Sequence, residues 1–216
     1  MRYGAMGTDI EIDLSRGKIE KLQSDPELVE TYLGGKGKNA KILWDRVPPE
    51  VDAFSPDNLL IVSAGVLTGT LVPGANRTTF TYKSPVTDMH SYSNLGGFLG
   101  AELKSAGYDT IVFAEKSPAP VYLWIDDDRV ELRDASHLWG KDTFETQKII
   151  REELKDNDLR IICIGQAGEN KVLSASAEHG TGASASRGGV GAVMGDKKLK
   201  AIVVRGTKDI NIADPT

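Results

Sequence analysis

Two glycine-rich turns, each close to an arginine, are the segments of this sequence best suited to chemistry. Gly96-Gly97 and Gly188-Gly189 each precede a predicted helix, and Arg77 and Arg187 lie near the two motifs. Unpaired backbone N–H groups at a helix start attract anions, and arginine makes bidentate contacts with phosphate. The pair therefore predicts a ligand with two phosphates in approximate two-fold symmetry. Either motif alone is explained equally well by close helix packing beside a solvated arginine.

An internal repeat indicates that the two motifs are equivalent. Gly100-Ala101 and Gly191-Ala192 are 91 residues apart, and so are Ile111 and Ile202 in the strands that follow. A strand, a glycine-rich loop and a second strand precede each helix. A duplication without function would leave the same pattern, so the repeat indicates architecture before it indicates a site.

Other catalytic chemistries fit the sequence poorly. The segment 189–195 (GVGAVMG) has one residue more than the dinucleotide-binding fingerprint, and it follows Thr181–Ser186 instead of a strand. His90 and His179 lie in predicted loops near the glycine motifs. A solvated imidazole is more common there than a ligand contact, and His137 is assigned to local packing. No catalytic residue is predicted.

The composition is that of a globular protein. The chain has 216 residues, 40% apolar and 26% charged, with a formal net charge of −5. An acidic chain without a basic stripe is a poor partner for nucleic acid or anionic membranes. No apolar run approaches the ~18 residues of a membrane helix, and the N-terminus lacks a signal-peptide core. The single cysteine, Cys163, lies in a predicted buried strand and favours a cytoplasmic protein without disulfides.

The residue periodicity predicts an α+β fold with two sheets related by the repeat. A hairpin of Thr8–Leu14 and Lys18–Leu22 comes first; further strands are predicted at 59–64, 77–83, 110–113, 121–125, 130–133, 160–164, 172–177 and 201–205. Helices are predicted to begin at Asp25-Pro26 and after Gly37, and to cover 94–106, 143–154 and 190–199. Segments 65–76, 165–170 and 180–189 are predicted loops.

Six segments spread along the whole chain carry a resemblance to a known family. They are AGVLTGT (64–70), YKSP (82–85), SNLGGFLGAELKSAGYD (93–109), RDASHLWGK (133–141), IGQAGEN (164–170) and SRGGVGAVMGDKKLKAIVVRG (186–206). These motifs resemble the N-terminal domain of the aldehyde:ferredoxin oxidoreductase family of tungsten enzymes. The tungsten-containing subunit of a benzoyl-coenzyme A reductase belongs to the same family, and residues 39–51 leave that branch open.

The resemblance implies a fold in which two sheets form a base for a tungstopterin, two pyranopterin dithiolenes holding one tungsten or molybdenum atom. Mg²⁺ would link the two pterin phosphates, partly through backbone carbonyls. Residues 1–208 would form this domain, and residues 209–216 would begin a linker to C-terminal domains that bind a [4Fe–4S] cluster. We therefore expect the chain to be part of a longer, cytoplasmic protein.

The implied activity of the full-length protein is oxidation of aldehydes to carboxylic acids with ferredoxin as electron acceptor. The resemblance also implies a homo-oligomer, and it implies that these 216 residues alone are inactive. Two alternatives stay open at this point. One is the tungsten subunit of a benzoyl-coenzyme A reductase-like enzyme, and the other is a stand-alone module that binds a pterin or another phosphate-bearing ligand.

In the first unit, the resemblance assigns four residues to the cofactor. Arg77 corresponds to the family arginine that contacts pterin phosphate, and Asn94 to the residue whose carbonyl binds magnesium. Gly96 and Gly97 would present their backbone to the cofactor.

In the second unit, the resemblance assigns the stretch Ala183–Gly188, which includes Ser186, to the other phosphate and magnesium loop. Ser184 stands at the second carbonyl position. A family member that aligns well has an arginine where this sequence has Ala183. Arg187 is close by and is the candidate replacement for the second phosphate contact.

Overall fold

Residues 3–214, described here by a computed structural model, contain two mixed six-stranded β-sheets and six helices. The first sheet has the strand order β2-β1-β6-β3-β4-β5, and the second has the order β11-β10-β9-β12-β7-β8. The strands are β1 Thr8–Asp13, β2 Lys18–Gln23, β3 Leu60–Ala64, β4 Thr78–Lys83, β5 His90–Leu95, β6 Thr110–Ala114, β7 Val121–Asp126, β8 Arg129–Asp134, β9 Arg160–Cys163, β10 Ala177–His179, β11 Ala183–Ala185 and β12 Leu199–Arg205. The predicted α+β fold with two sheets is confirmed.

The helices lie between these strands and begin where local signals place them. They are α1 Pro26–Tyr32, α2 Gly35–Arg46, α3 Leu99–Ser105, α4 Thr143–Leu154, α5 Gln166–Glu169 and α6 Val190–Asp196. Asp25 caps α1 because its carboxylate accepts from the N–H groups of Glu27 and Leu28, with Pro26 in the first turn. Asp142 caps α4 in the same way through the N–H of Glu145.

The two sheets have identical topology, so the duplication covers the chain from β1 to β12. In each unit a hairpin (β1–β2 or β7–β8) is followed by three antiparallel strands, a short helix and a last strand. That last strand returns to the middle of its sheet and runs parallel to the first, β6 with β1 and β12 with β7. The match between the units follows from strand pairing and does not depend on sequence similarity.

The main core lies between the inner faces of the two sheets. Ile10, Val62 and Phe80 of the first sheet share one apolar cluster with Ile162 and Ile202 of the second, and α3 and α6 contribute to it. Helix α2 covers the outer face of the first sheet through Leu43, and α4 covers the outer face of the second through Ile150. Burial of apolar surface on both faces holds the two units as one body.

Five predicted elements are wrong, and two of them contain the glycine motifs. The predicted helix 94–106 is divided: Asn94 lies in strand β5, which was missed, and α3 begins only at Leu99. The predicted loop 180–189 contains β11. Most of the predicted strand 172–177 is coil and turn, with Val172 and Leu173 about half exposed, and only Ala177 lies in a strand, β10. The predicted loop 165–170 holds the short helix α5. Helix α2 begins at Gly35 instead of after Gly37.

The segment after β12 is irregular, and the helices in the described part of the chain are too short or too polar to cross a membrane. Residues 209–214 of the predicted linker contain no helix or strand, and Pro215 and Thr216 lie outside the described residues. None of the helices in residues 3–214 combines the length and the apolar character that crossing a membrane requires.

Candidate functional site

The two glycine motifs meet where the edges of the two sheets touch. Strands β5 and β11 are the edge strands of their sheets, and they contact each other. A Cβ on Gly97 would lie 3.9 Å from the Cβ of Ala183 and 3.0 Å from Cδ2 of His179. We call the surface formed by residues 94–98 and 183–188 the seam. The turns assigned from sequence to two separate units are thus side by side.

Polar side chains of the first unit hold the second unit's loop in place at the seam. The backbone N–H of Arg187 donates to Ser93 Oγ at 3.2 Å, and the Ser84 hydroxyl donates to the Gly188 carbonyl at 2.8 Å. The Tyr82 hydroxyl donates to the Arg187 carbonyl. Burial raises the pKa of Tyr82, which keeps this donor protonated. These contacts fix the Arg187 backbone while its side chain stays exposed.

Strand register places Asn94 and Ser184 at equivalent positions of the two units. In the first sheet, Thr110 is paired with Ser63, Ser63 with Thr79, and Thr79 with Asn94. The same steps in the second sheet connect Ala201, Cys163, Glu178 and Ser184 in that order. Thr110 and Ala201 are themselves related by the 91-residue offset of the repeat. Asn94 and Ser184 are therefore related by the pseudo-two-fold symmetry.

The side chains of this symmetric pair are already engaged by their own sheets. Asn94 Oδ1 accepts from the Thr79 hydroxyl at 3.0 Å. The Ser184 hydroxyl donates to Glu178 Oε1 at 2.9 Å, and Ser176 donates to the same oxygen. These hydrogen bonds tie both side chains to the adjacent strand of their own sheet.

The two arginines reach the seam from positions that are not equivalent. Arg77 directly precedes β4, and the residue at the corresponding position in the second unit is Ser176, not an arginine. Arg77 nevertheless extends over the first glycine turn, because its Nη1 lies 3.0 Å from where a Cβ of Gly96 would be. Arg77, Asn94 and Arg187 are all exposed at this surface. Two guanidinium groups thus border the seam, although symmetry does not relate their backbones.

The helix starts contribute less to this surface than the sequence indicates. Helices α3 and α6 have seven residues each, so their dipoles are short. The start of α6 is buried: the N–H of Gly191 donates to the Ala175 carbonyl at 3.0 Å, and Val190 is fully buried. The prediction that Gly188-Gly189 opens an exposed anion-binding helix start is therefore wrong for the second unit. The exposed residues there belong to the preceding loop: Ser186, and Arg187 through its side chain.

Gly188 and Gly189 have a packing role that sequence analysis did not separate from ligand binding. Both have positive φ, of 62° and 79°. A Cβ on Gly188 would collide with the Ser91 hydroxyl, and one on Gly189 would lie 2.6 Å from the Leu173 carbonyl oxygen. Glycine at these two positions allows close approach of the loop to its neighbours.

Sequence analysis missed a third positive charge next to the seam. Lys36, in the first turn of α2, places its Nζ 3.7 Å from the ring centroid of Tyr92 on β5. The Lys36 ammonium, with a smaller effect from Arg187, lowers the pKa of the Tyr92 hydroxyl. The only sequence signal for this residue is its place in Gly34–Gly37, which was assigned to a helix boundary. Lys36, Arg77 and Arg187 together make this surface electropositive in an acidic chain.

The remaining candidate residues do not form a catalytic set. His137 is half-exposed beside Glu153 at the opposite end of the second unit. Burial, followed by the nearby Lys36 charge, lowers the pKa of His90. Cys163 is fully buried and burial raises its pKa to about 12, which makes the thiol inert as predicted. Within residues 3–214, histidine, cysteine, aspartate and glutamate side chains do not gather in groups of three or more that could hold a metal ion.

Comparison with known proteins identifies the family to which the chain belongs. The family model for the N-terminal domain of aldehyde ferredoxin oxidoreductase matches residues 10–206. The tungsten-containing aldehyde ferredoxin oxidoreductase of Pyrococcus furiosus is 47% identical over 212 residues, and that of Thermococcus kodakarensis is 45% identical. In both cases the match covers 98% of this chain and 35% of the relative, so the chain spans about a third of the length of these proteins.

A solved structure shows the same fold. A chain in the active-site complex BamBC of benzoyl coenzyme A reductase, with 1,5-dienoyl-CoA, superimposes on this chain with a TM-score of 0.97 and 57% sequence identity. The superposition covers all of this chain and 33% of the other. The predicted resemblance is confirmed: the chain belongs to the aldehyde ferredoxin oxidoreductase family and corresponds to its N-terminal domain.

Proposed function

We propose that the chain is the tungstopterin-binding domain of an enzyme that oxidises aldehydes to carboxylic acids and passes the electrons to ferredoxin. The observation that carries this proposal is the seam, where two exposed glycine-containing turns lie together between Arg77 and Arg187. Glycine-containing turns flanked by guanidinium groups are well suited to bind paired phosphates. The tungsten named in the similar archaeal enzymes supports a tungsten–pterin ligand.

The residues at the seam fit a bulky ligand with two-fold symmetry. Gly96 and Gly97 leave open the space that a Cβ would fill, and Gly97 has a φ of 85°, which favours glycine. The carbonyl groups of Asn94 and Ser184, equivalent by register, would serve as ligands for one Mg²⁺ between the two phosphates. Their neutral oxygen donors are of the kind that Mg²⁺ prefers.

The chain's own contribution in this proposal is binding and electrostatics. Arg77 and Arg187 would hold the phosphates, with Ala183 and Ser186 lining the second loop and Lys36 adding positive charge nearby. The tungsten–dithiolene group supplies the redox chemistry when it is bound.

The partners in this proposal lie outside the chain. C-terminal domains of the same polypeptide would bind a [4Fe–4S] cluster and receive the electrons before ferredoxin does. The relatives, about three times as long as this chain, support such domains. The full-length protein would be a cytoplasmic homo-oligomer, and the linker to the C-terminal domains would start in residues 209–216.

The proposal is tested by tungsten content of full-length variants. Arg77→Ala removes a charge-assisted phosphate contact worth about 1.5–3 kcal/mol, so cofactor retention falls at least tenfold. Arg16→Ala is the matched control, because the Arg16 side chain is 80% exposed in a hairpin turn. Tungsten per chain, measured by elemental analysis, falls in the first variant only. Equal tungsten in both variants overturns the assignment of Arg77.

A second candidate function has a specific observation in its favour. The chain is 57% identical to a chain of the benzoyl coenzyme A reductase complex, a higher identity than the 47% found with the Pyrococcus furiosus enzyme. This identity supports the tungsten subunit of a benzoyl-coenzyme A reductase-like enzyme. Purified full-length protein separates the two: aldehyde-dependent dye reduction supports the first function, and conversion of 1,5-dienoyl-CoA to benzoyl-CoA supports the second.

A further inference from the structure

One histidine at the seam has a position that the proposed function does not explain. His179 lies in β10 and is paired with Ala183, and both side chains face Gly97. Sequence analysis assigned it to a solvated loop. The structure places it instead in a half-buried strand, 18 residues from its hydrogen-bond partner in the neighbouring strand.

Symmetry shows that this position is a core position in the other unit. Val62 pairs with Phe80 in the first sheet, and Ile162 pairs with His179 in the second, so Phe80 and His179 are equivalent. Phe80 is fully buried, whereas His179 retains exposure. An imidazole in place of a phenyl ring adds two nitrogen atoms at the point where the two turns meet.

The two ring nitrogens of His179 have different surroundings. Nδ1 lies 2.8 Å from the Ile161 carbonyl oxygen, which can only accept, so Nδ1 carries the proton. Nε2 has no hydrogen-bond partner within residues 3–214 and lies 3.3 Å from the Cβ position that is empty in Gly97. In the neutral ring, Nε2 is therefore an acceptor at the edge of the space above the Gly97 turn.

Burial and the nearby positive charges lower the pKa of His179 and so favour the neutral ring. Burial is the main cause of a lowered pKa, and the positive charges of Arg160 on β9 and Arg151 on α4 act in the same direction. The hydrogen bond to Ile161 opposes them only in part. The neighbouring Glu178 is engaged with Ser176 and Ser184. A neutral ring with an unprotonated Nε2 favours a ligand atom that can donate a hydrogen bond.

We infer that His179 is a cofactor-contacting residue whose Nε2 accepts a hydrogen bond from an N–H group of the bound heterocycle. This inference rests on the proposed function, because a pterin ring supplies such N–H donors and a bare phosphate does not. It also places a polar contact directly opposite Ala183, on the face of the hairpin where the family arginine is missing. His179 is thus a binding residue with no step of its own in the chemistry.

The test is the reactivity of His179 toward diethyl pyrocarbonate, which modifies unprotonated imidazole nitrogen. Full-length protein is prepared with cofactor, and also from a host unable to make pterin, and modified peptides are quantified by mass spectrometry. We expect modification of His179 to be at least about fivefold slower in the loaded protein. His137, half-exposed and remote from the seam, reacts equally in both forms and is the internal control.

Variants provide a second readout. His179→Phe introduces the residue found at the equivalent position 80, so we expect the fold to be retained; it removes the Nε2 acceptor together with the Nδ1–H donor to the Ile161 carbonyl. His179→Gln keeps a polar acceptor. Loss of one neutral hydrogen bond predicts roughly three- to tenfold faster release of pterin from the Phe variant. The Gln variant should fall between the Phe variant and the unmodified protein.

The outcomes separate this inference from the proposed function. Protein that contains neither tungsten nor pterin contradicts the proposed function itself. If the protein contains both tungsten and pterin, but His179 reacts at the same rate in the loaded and empty forms, only the role of His179 is overturned. Release of pterin at the same rate from the Phe and Gln variants leads to that same conclusion.

Discussion

Replacing Gly97 by alanine places one methyl group in the space between the two turns of the seam. The new Cβ would lie 3.0 Å from Cδ2 and 3.3 Å from Nε2 of His179. Ordinary carbon contacts are about 3.5–4.0 Å, so the ring or the turn must move by a few tenths of an ångström. The residue must also keep a φ of 85°, which L-residues rarely adopt.

The two costs of this substitution can be separated with a matched control. Positive φ costs an alanine roughly 1–2 kcal/mol, and a crowded methyl group adds about 1–2 kcal/mol. Gly140 has a φ of 88° and nothing within 4 Å of its Cβ position, and it is exposed like Gly97. Gly140→Ala therefore carries only the first cost, and the difference between the variants reports the crowding at the seam.

The assay compares tungsten per chain and melting temperature in the full-length variants. We expect both variants to fold, with Gly97→Ala somewhat less stable. We expect Gly97→Ala to lose most of its tungsten, because the methyl group occupies space directly over the turn that the cofactor would contact; each 1.4 kcal/mol lost in binding corresponds to a tenfold change. Gly140→Ala should retain all of its tungsten. Full tungsten content in Gly97→Ala, or an equal loss in both variants, refutes the placement of the cofactor over this turn.

Three further substitutions test one contact at the seam and two buried lysines elsewhere in the two units. Tyr82→Phe removes the donor to the Arg187 carbonyl, so we expect about 1–3 kcal/mol lower stability and faster tungsten release; unchanged release argues against this contact. Lys200→Met leaves the buried Glu169 carboxylate, 2.5 Å from Lys200 Nζ, without its partner; thermal unfolding should show a loss of about 3–5 kcal/mol. Burial lowers the pKa of Lys104 to about 8, so between pH 8 and 10.5 only the unfolded chain keeps that proton. Stability should therefore rise with pH in this window relative to Lys104→Met, and parallel pH profiles contradict the lowered pKa.

Elements with strong local signals were predicted well. The hairpin of β1 and β2, the Asp25 cap and helix α4 appear as the sequence predicts. In the hairpin, polar and apolar residues alternate, and each of the two helices has an aspartate cap at its start. These signals come from neighbours along the chain, so the local sequence determines the conformation. The two-sheet fold could be predicted for the same reason, together with the family resemblance and the repeat.

The edge strands at the seam could not be predicted from local sequence. Strand β5 reads HSYSNL and β11 reads ASA, and neither has the apolar alternation that identifies a strand. Their partners across the sheet fix them, through pairs such as Asn94 with Thr79. The role of His179 could not be predicted from local sequence either. Only the strand pairing shows that His179 stands at the position equivalent to the buried Phe80.

In the proposed function, the metal-bearing cofactor sits over the seam between the two units. Anomalous diffraction from crystals of the full-length protein, recorded above and below the tungsten absorption edge, locates the metal directly. We expect one tungsten peak per chain, on the side of the seam formed by Asn94–Gly97 and Ser184–Gly188, with phosphate density contacting Arg77 and Arg187. A tungsten peak distant from both turns, or no tungsten peak in active crystals, contradicts it.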